Sequence, residues 1–234
     1  MQNKLSVVII TKNEEVFIAG AIKSAMFANE VLVVDSGSTD KTCDIAKKLG
    51  ARVIFHEWFG YGNQKNIAID EAKNDYVFVL DADERITPSL KKELLGNLDK
   101  LSMKVFAVPR LNRFFGKDIR YCGLYPDNSI RCFDRRYSRF NDVPVHESVQ
   151  TKFPVAKLKS HMTHLAFESI REFRNKQIKY AYLSCRTNNI TKAIISPFWV
   201  FFKIFFLKIG FMEGWRGFII AIIYAEYTFR KYHK

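Results

Sequence analysis

Four short apolar runs, spaced by segments of helical periodicity, organise the first hundred residues. Leu5 to Ile10, Glu30 to Val34, Arg52 to Phe55 and Tyr76 to Leu80 read as strands, the last of them continuous rather than alternating. Runs of that kind suit strands buried on both faces. Between the first two, Phe17, Ile18, Ala21, Ile22, Ala25 and Met26 recur at helical spacing, with Asn13 as a candidate cap and Glu14 and Glu15 in the first turn. Ser36-Gly37-Ser38-Thr39-Asp40 is turn chemistry before a helix through Leu49. Gln64 to Ala72 reads as a further helix, and Thr87-Pro88 opens another with proline at its tolerated first position. Strands alternating with helices predict an α/β fold with a mostly parallel, doubly wound sheet.

The pattern changes after residue 100. Val105 to Val108 and Ser129 to Phe133 read as short strands joined by basic, aromatic loops, and Glu168 to Thr187 as a basic helix. The last forty residues carry two apolar runs, Phe198 to Lys208 and Phe218 to Ala225, each bounded or interrupted by lysine or arginine. Neither run alone supplies the roughly 18 uncharged apolar residues of a spanning helix. Amphipathic aromatic helices at a membrane interface are the expectation, with a hairpin packed on the sheet or on a second subunit as the alternative. The expected division is a domain over 1–190, with halves 1–100 and 101–190, followed by C-terminal helices over 191–234.

Charge sharpens this division. Residues 1–100 carry 13 Lys+Arg against 15 Asp+Glu, whereas residues 101–234 carry 24 against 9, so the whole net charge of +13 comes from the second part. A partner of that part is expected to be anionic. Cys43, Cys122, Cys132 and Cys185 show no metal-type spacing and are too few for a disulfide framework, so reduced thiols in a cytosolic setting are expected. The N-terminal apolar run is too short for a signal-peptide core.

The strongest chemical signal is Asp81-Ala82-Asp83, at the end of the fourth strand. Buried strands deliver their last residues to the carboxyl edge of a parallel sheet, where open α/β folds bind ligands. Two acids held there favour a cation between them and a ligand. Mg²⁺ or Mn²⁺ accepts one or two carboxylates and fills its other positions with water and phosphate oxygens, which predicts a metal-assisted site for a diphosphate.

Four stretches in order now resemble the family-two glycosyltransferases: Leu5-Ser6-Val7-Val8-Ile9-Ile10-Thr11-Lys12-Asn13-Glu14-Glu15, Val31 to Thr42 with its Asp35-Ser36-Gly37-Ser38, Gly62-Asn63-Gln64-Lys65-Asn66, and Leu80-Asp81-Ala82-Asp83-Glu84. The resemblance implies the GT-A fold and inversion at the anomeric carbon. Downstream, Val145-His146-Glu147, His164 and Gly210-Phe211-Met212-Glu213-Gly214-Trp215-Arg216-Gly217 resemble the lipopolysaccharide-core branch of that family.

The resemblance implies a nucleotide-sugar donor, a UDP-sugar favoured, lined by Thr11, Glu14, Asp35, Lys65 and Asp81. Asp83 is the first choice for the metal, with His164 beside it. Glu147 is the expected general base, taking the acceptor's proton, with Asp142 and Asp127 as runners-up. Glu14 has a second reading as a helix-dipole residue, Asp35 as a turn cap and Glu147 as an ion-pair partner. The acceptor is expected to be a lipopolysaccharide-core or other lipid-linked glycan, met at an anionic membrane surface on its cytoplasmic face. His161 and His164, three apart before the basic helix, also raise a helical zinc site, which no third ligand completes. Competing readings are a nucleotidyltransferase, opposed by the acidic, glycine-free end of strand one, a basic nucleic-acid binder, and a non-catalytic membrane scaffold. No recognition motif accompanies the pI near 9.6, so no nucleic-acid partner is expected.

Overall fold

The computed structural model describes residues 3–142, 147–184 and 190–233. The chain forms two compact units, one of residues 1–110 and 127–164, the other of 111–126 and 165–234.

The first unit begins with β1 (Leu5–Thr11), α1 (Ile18–Ala25), β2 (Glu30–Asp35), α2 (Thr42–Lys48), β3 (Arg52–Phe55), α3 (Tyr61–Asp70) and β4 (Tyr76–Asp81). It continues through β5 (Glu84–Ile86), α4 (Pro88–Leu95), β6 (Val105–Phe114, in the second unit from Leu111), the two-residue β7 (Lys117–Asp118, already in the second unit), β8 (Asp127–Asp134), β9 (Ser138–Phe140), β10 (Val149–Thr151), β11 (Val155–Lys157) and β12 (Met162–Phe167, in the second unit from Leu165). The sheet order is β3-β2-β1-β4-β8-β6-β12-β5. β1 pairs in parallel with β2 and β4, and β2 with β3. β8 runs antiparallel to β4 and β6, so the sheet is mixed beyond its parallel half.

Burial on both faces explains the continuous runs. Leu5, Val7, Ile9, Phe78 and Leu80 pack with Ile18 and Ile22 of α1 and Leu90 and Leu94 of α4. Their alternate neighbours Val8, Ile10, Val77 and Val79 pack with Ala68 and Ile69 of α3. Adjacent residues thus serve opposite cores, and Ser6, polar and buried within β1, donates to Glu30 Oε2 at 2.6 Å.

Local differences from the predicted elements have identifiable causes. Asn13 does not cap α1, which starts at Ile18. Asn13 instead adopts φ 56°, and its side-chain oxygen accepts from the Thr39 amide at 2.8 Å. Asparagine tolerates that left-handed backbone, and here its amide braces the loop after β1 against the loop after β2. Thr87 does cap α4, its hydroxyl accepting from the Leu90 amide at 3.3 Å. His161 and His164 do not share a helix: Met162–Phe167 is a strand, paired antiparallel with β5.

The second unit contains α5 (Ile170–Leu183), α6 (Ile190–Phe202) and α7 (Trp215–Tyr232), packed with residues 111–126. Ser169 caps α5 by accepting from the Glu172 amide at 3.1 Å. Phe114, Ile119, Phe167 and Phe173 form a core with Ile220 and Ile223 of α7. The first apolar C-terminal run is part of a longer helix than expected. α6 continues through a wider π turn over Lys203–Leu207, giving an 18-residue helix, Ile190–Leu207, long and apolar enough to cross a membrane. Pro197 lies inside it, and two lysines divide it in sequence, which is why its length is not evident from the apolar runs. After the turn, Gly217 lies so close to the carbonyl of Gly210 that any side chain would collide with it. Cys43, Cys122 and Cys132 are free thiols, and burial pushes the Cys122 thiol up to about 12. Cys185 lies outside the described residues.

Candidate active site

The strand order makes the site. The chain leaves β1 for β2 and β3 on one side, then returns to β4 on the other, so the order reverses between β1 and β4. A crevice outside the carboxyl ends of the strands is the ligand-binding position of such sheets. Thr11 is opposite Asp35 across β1 and β2, and Ile10 is opposite Asp81 across β1 and β4. Three of the residues singled out in the sequence therefore occupy one sheet edge.

Lys65, on the buried side of α3, reaches this edge. Its Nζ lies 3.3 Å from Asp81 Oδ1 and 2.7 Å from Glu147 Oε1, and 5.3 Å from the centroid of the Phe140 ring. The lysine links the end of β4 to a carboxylate 82 residues further from it in sequence. α3 sits here because Gly62 admits the backbone of Asn141, whose carbonyl would collide with any side chain at that position. The close approach that Gly62 allows is thus made by the protein's own chain. Asn66 completes the join, donating to the Phe140 carbonyl and accepting from its amide, both at 2.9 Å.

Arg131 holds Asp81 from its other side. Its Nη2 is 3.1 Å from Asp81 Oδ2 and 2.7 Å from Glu84 Oε1. Glu84 in turn accepts the Asp81 amide at 3.0 Å through its other oxygen. Burial alone would raise the Asp81 pKa, but Lys65 and Arg131 outweigh it and hold the carboxyl far below the usual aspartate range. Glu84 goes the other way: burial raises its pKa, and Arg131 only partly offsets this against the neighbouring Asp81 charge. Arg110 contributes at 3.6 Å from Glu84 and donates through Nε to Asp127 at 2.9 Å.

Arg131 lies close in sequence to Arg135, Arg136 and Arg139, and Glu84 directly follows Asp83. Arg131 and Glu84 are buried, and they frame the Asp81 turn. The other three arginines have partners within the protein: Arg135 donates to the carbonyls of Ile69 and Asp70, Arg136 pairs with Asp134, and Arg139 pairs with Asp70. A buried arginine is distinguishable from these only through the antiparallel pairing of β8 with β4, where Phe78 is opposite Cys132.

Asp83 and His164 form a second centre. Asp83 Oδ2 and His164 Nε2 are 3.1 Å apart, brought together because His164 is opposite Glu84 across β12 and β5. The two are hydrogen-bonded to each other, and their oxygen and nitrogen are also spaced, at about 3 Å, as two neighbouring ligands of one octahedral ion would be. Among the described residues no group of three His, Cys, Asp or Glu side chains is arranged to hold a metal. A two-ligand protein contribution leaves positions for water and phosphate.

Asp35 turns inward to its own loop, accepting from the Gly37 and Ser38 amides at 2.9 and 2.8 Å and from the Ser38 hydroxyl. Glu14 lies on the brace between loops, its amide donating to the Thr42 hydroxyl at 2.8 Å. Asp142 is exposed, and Asp127 is held by Arg110. Val145 and His146 lie outside the described residues. Three buried oxygens, Thr11 Oγ1, Ser36 Oγ and Gln64 Oε1, have no hydrogen-bond partner among the described residues. Buried polar atoms are rarely left so, and polar ligand atoms are a fitting complement.

Comparison with known proteins points the same way. The pattern described as Glycosyl transferase family 2 matches residues 6–151. An uncharacterized glycosyltransferase of Rickettsia typhi is 31% identical, covering 99% of this chain and 86% of its own length. The lipopolysaccharide core biosynthesis glycosyltransferase LpsC of Rhizobium meliloti is 30% identical, covering 96% and 89%. The crystal structure of S. aureus TarS superimposes with a TM-score of 0.50 at 19% identity, over 77% of this chain and 39% of that one, a likeness of fold alone. With its mixed α/β sheet of the GT-A type, its strand-edge acids and a family match across most of the first unit, this chain belongs to glycosyl transferase family 2 and is a glycosyltransferase.

Proposed function

We propose that the protein is a metal-dependent, inverting glycosyltransferase that moves a sugar from a nucleotide-sugar donor, a UDP-sugar by preference, to a lipopolysaccharide-core or other lipid-linked glycan. The observation that carries this reading is Lys65, whose ammonium joins Asp81 at the strand edge to Glu147. It ties the donor-side acids to a carboxylate whose second oxygen would act on the acceptor. The similarity to LpsC, a lipopolysaccharide core enzyme, supports the acceptor class.

In this reading Thr11, Ser36 and Gln64 offer their unpaired oxygens to the nucleoside, with Asp35 shaping the loop beneath it. Asp83 and His164 would hold the divalent ion, which when bound would offset the negative charge developing on a leaving diphosphate. Glu147 accepts the proton of the acceptor hydroxyl as that oxygen attacks the anomeric carbon, and the nucleoside diphosphate departs from the opposite face. Lys65 orients Glu147, and Arg131 fixes Asp81 so that the edge does not rearrange as the donor binds. A lipid-linked acceptor brings the reaction to an anionic membrane surface on its cytoplasmic side.

Glu147→Gln tests the assignment. Donor binding is expected to persist while transfer collapses, and near-normal turnover would remove Glu147 as the base.

A further inference from the structure

The second unit carries an outward apolar face that the transfer chemistry does not use. Ile195, Phe198, Trp199, Phe202 and Phe206 of the Ile190–Leu207 helix are all exposed, Phe198 by 75%. At 100° per residue the first four, in α6 itself, fall within one third of the helix circumference, and the buried Ala193 faces the other way. Lys192 and Lys203, eleven residues or three turns apart, fall together on one margin of that face. An apolar face edged by lysines is the pattern of a helix lying at a lipid interface, where the long side chains reach headgroups while their stems stay apolar.

Length and composition alone would equally allow this helix to span a bilayer. Its attachments decide otherwise. α6 packs along α7, with Phe218 of α7 edge-on to Phe201 and Phe205 at 5.7 and 5.8 Å. α7 is held to the body of the unit at both ends. Near its start, Arg216 donates to the Phe115 carbonyl at 2.9 Å, and near its end Glu226 pairs with Arg174 at 2.6 Å. The turn from α6 is also fastened: the Lys208 carbonyl accepts the Cys122 amide at 3.0 Å, and Glu213 pairs with Lys117 at 2.8 Å. A spanning α6 would have to carry these charged partners to the far side of the bilayer, against a large desolvation cost.

We propose that the Ile190–Leu207 helix docks in the plane of an anionic lipid bilayer, its Phe198–Phe202 face in the outer acyl region and Lys192 and Lys203 at the headgroups. The second unit, residues 111–126 and 165–234, carries 15 Lys+Arg against 5 Asp+Glu, an excess that complements that surface. The proposal names the membrane-facing surface for the reaction above, but it rests on the surface geometry of the second unit and is measured separately.

The full chain is floated with vesicles of phosphatidylcholine containing one quarter phosphatidylglycerol, and with phosphatidylcholine alone. Binding to the anionic vesicles is expected, with Phe198→Glu/Phe202→Glu lowering it by on the order of tenfold or more per phenylalanine. Lys192→Glu/Lys203→Glu should weaken binding to anionic vesicles alone, by about fivefold per charge. Circular dichroism and UDP-sugar binding without vesicles should be unchanged in both variants, so a failed donor site and a failed membrane face are distinguishable. A Trp58→Phe/Trp215→Phe chain leaves Trp199, near the middle of the helix, as its sole tryptophan. Quenching by lipids brominated high on the acyl chain supports docking in plane, while quenching strongest from the bilayer centre would replace docking with spanning. No vesicle binding, or loss of a dimer in the Phe198→Glu/Phe202→Glu chain without vesicle binding, would overturn the proposal.

Discussion

The two units use similar residues in opposite ways. In the first, charge is turned inward: Lys65, Arg131 and Arg110 bind Asp81, Glu84, Asp127 and Glu147 into one connected set at the sheet edge. In the second, apolar groups face outward, and the charged pairs Lys117–Glu213 and Arg174–Glu226 fasten the helices that carry them. An aromatic, basic composition therefore does not specify a single partner. The arginines of the first unit are occupied by the protein's own acids and carbonyls, and in the docking proposed above the anionic partner meets the second unit instead.

This contrast can be broken at its strongest point first. Removing Arg131 leaves the half-buried Asp81 and the buried Glu84 beside each other without their shared cation. Arg131→Leu is expected to destabilise the first unit by about 3–5 kcal/mol, measured by denaturant unfolding. A change below about 1 kcal/mol would mean the network is not a structural requirement. Next, Glu147→Gln should lower transfer by about 10²–10⁴-fold while leaving donor affinity within about twofold, measured by product formation and calorimetry. Asp83→Ala should reduce the metal-dependent part of donor affinity by at least about tenfold and leave metal-free binding alone. Equal binding with and without Mn²⁺ in both proteins would detach Asp83 and His164 from the donor.

The smallest expected effect lies in the second unit. Burial would raise the Glu213 pKa, but Lys117 and the amides of Arg120 and Tyr121 together lower it below the ordinary glutamate value. A carboxyl depressed on folding contributes stability above its unfolded value, about 4.3, and loses that contribution as the pH falls through the lower folded value. Glu213→Gln should thus cost about 1–3 kcal/mol at neutral pH and progressively less in acid. A cost independent of pH would point to packing rather than charge.

What the sequence makes legible follows from how far apart the cooperating residues lie. Asp35 and Asp81 end apolar strands, and local pattern alone takes them to one edge. His164 and Asp83 meet only because β12 pairs with β5, a register without a local signature. Arg131 looks like its surface neighbours because burial depends on β8 lying against β4. The 18-residue helix was obscured for the reverse reason: Pro197 and Lys203 interrupt the sequence pattern, while the backbone continues through them. Asn13 shows a local rule overridden, since a residue suited to capping is used to brace two loops.

The most direct measurement of the central claim is donor-induced thermal stabilisation across UDP-, GDP-, CMP- and dTDP-sugars, each with and without Mn²⁺. A ligand stabilises the folded state it binds. A metal-dependent upward shift is expected for one nucleotide class, UDP-sugars first, and is lost in Asp83→Ala. A folded protein that shifts with none of them, in either condition, would contradict the donor site assigned to the edge of β1, β2 and β4.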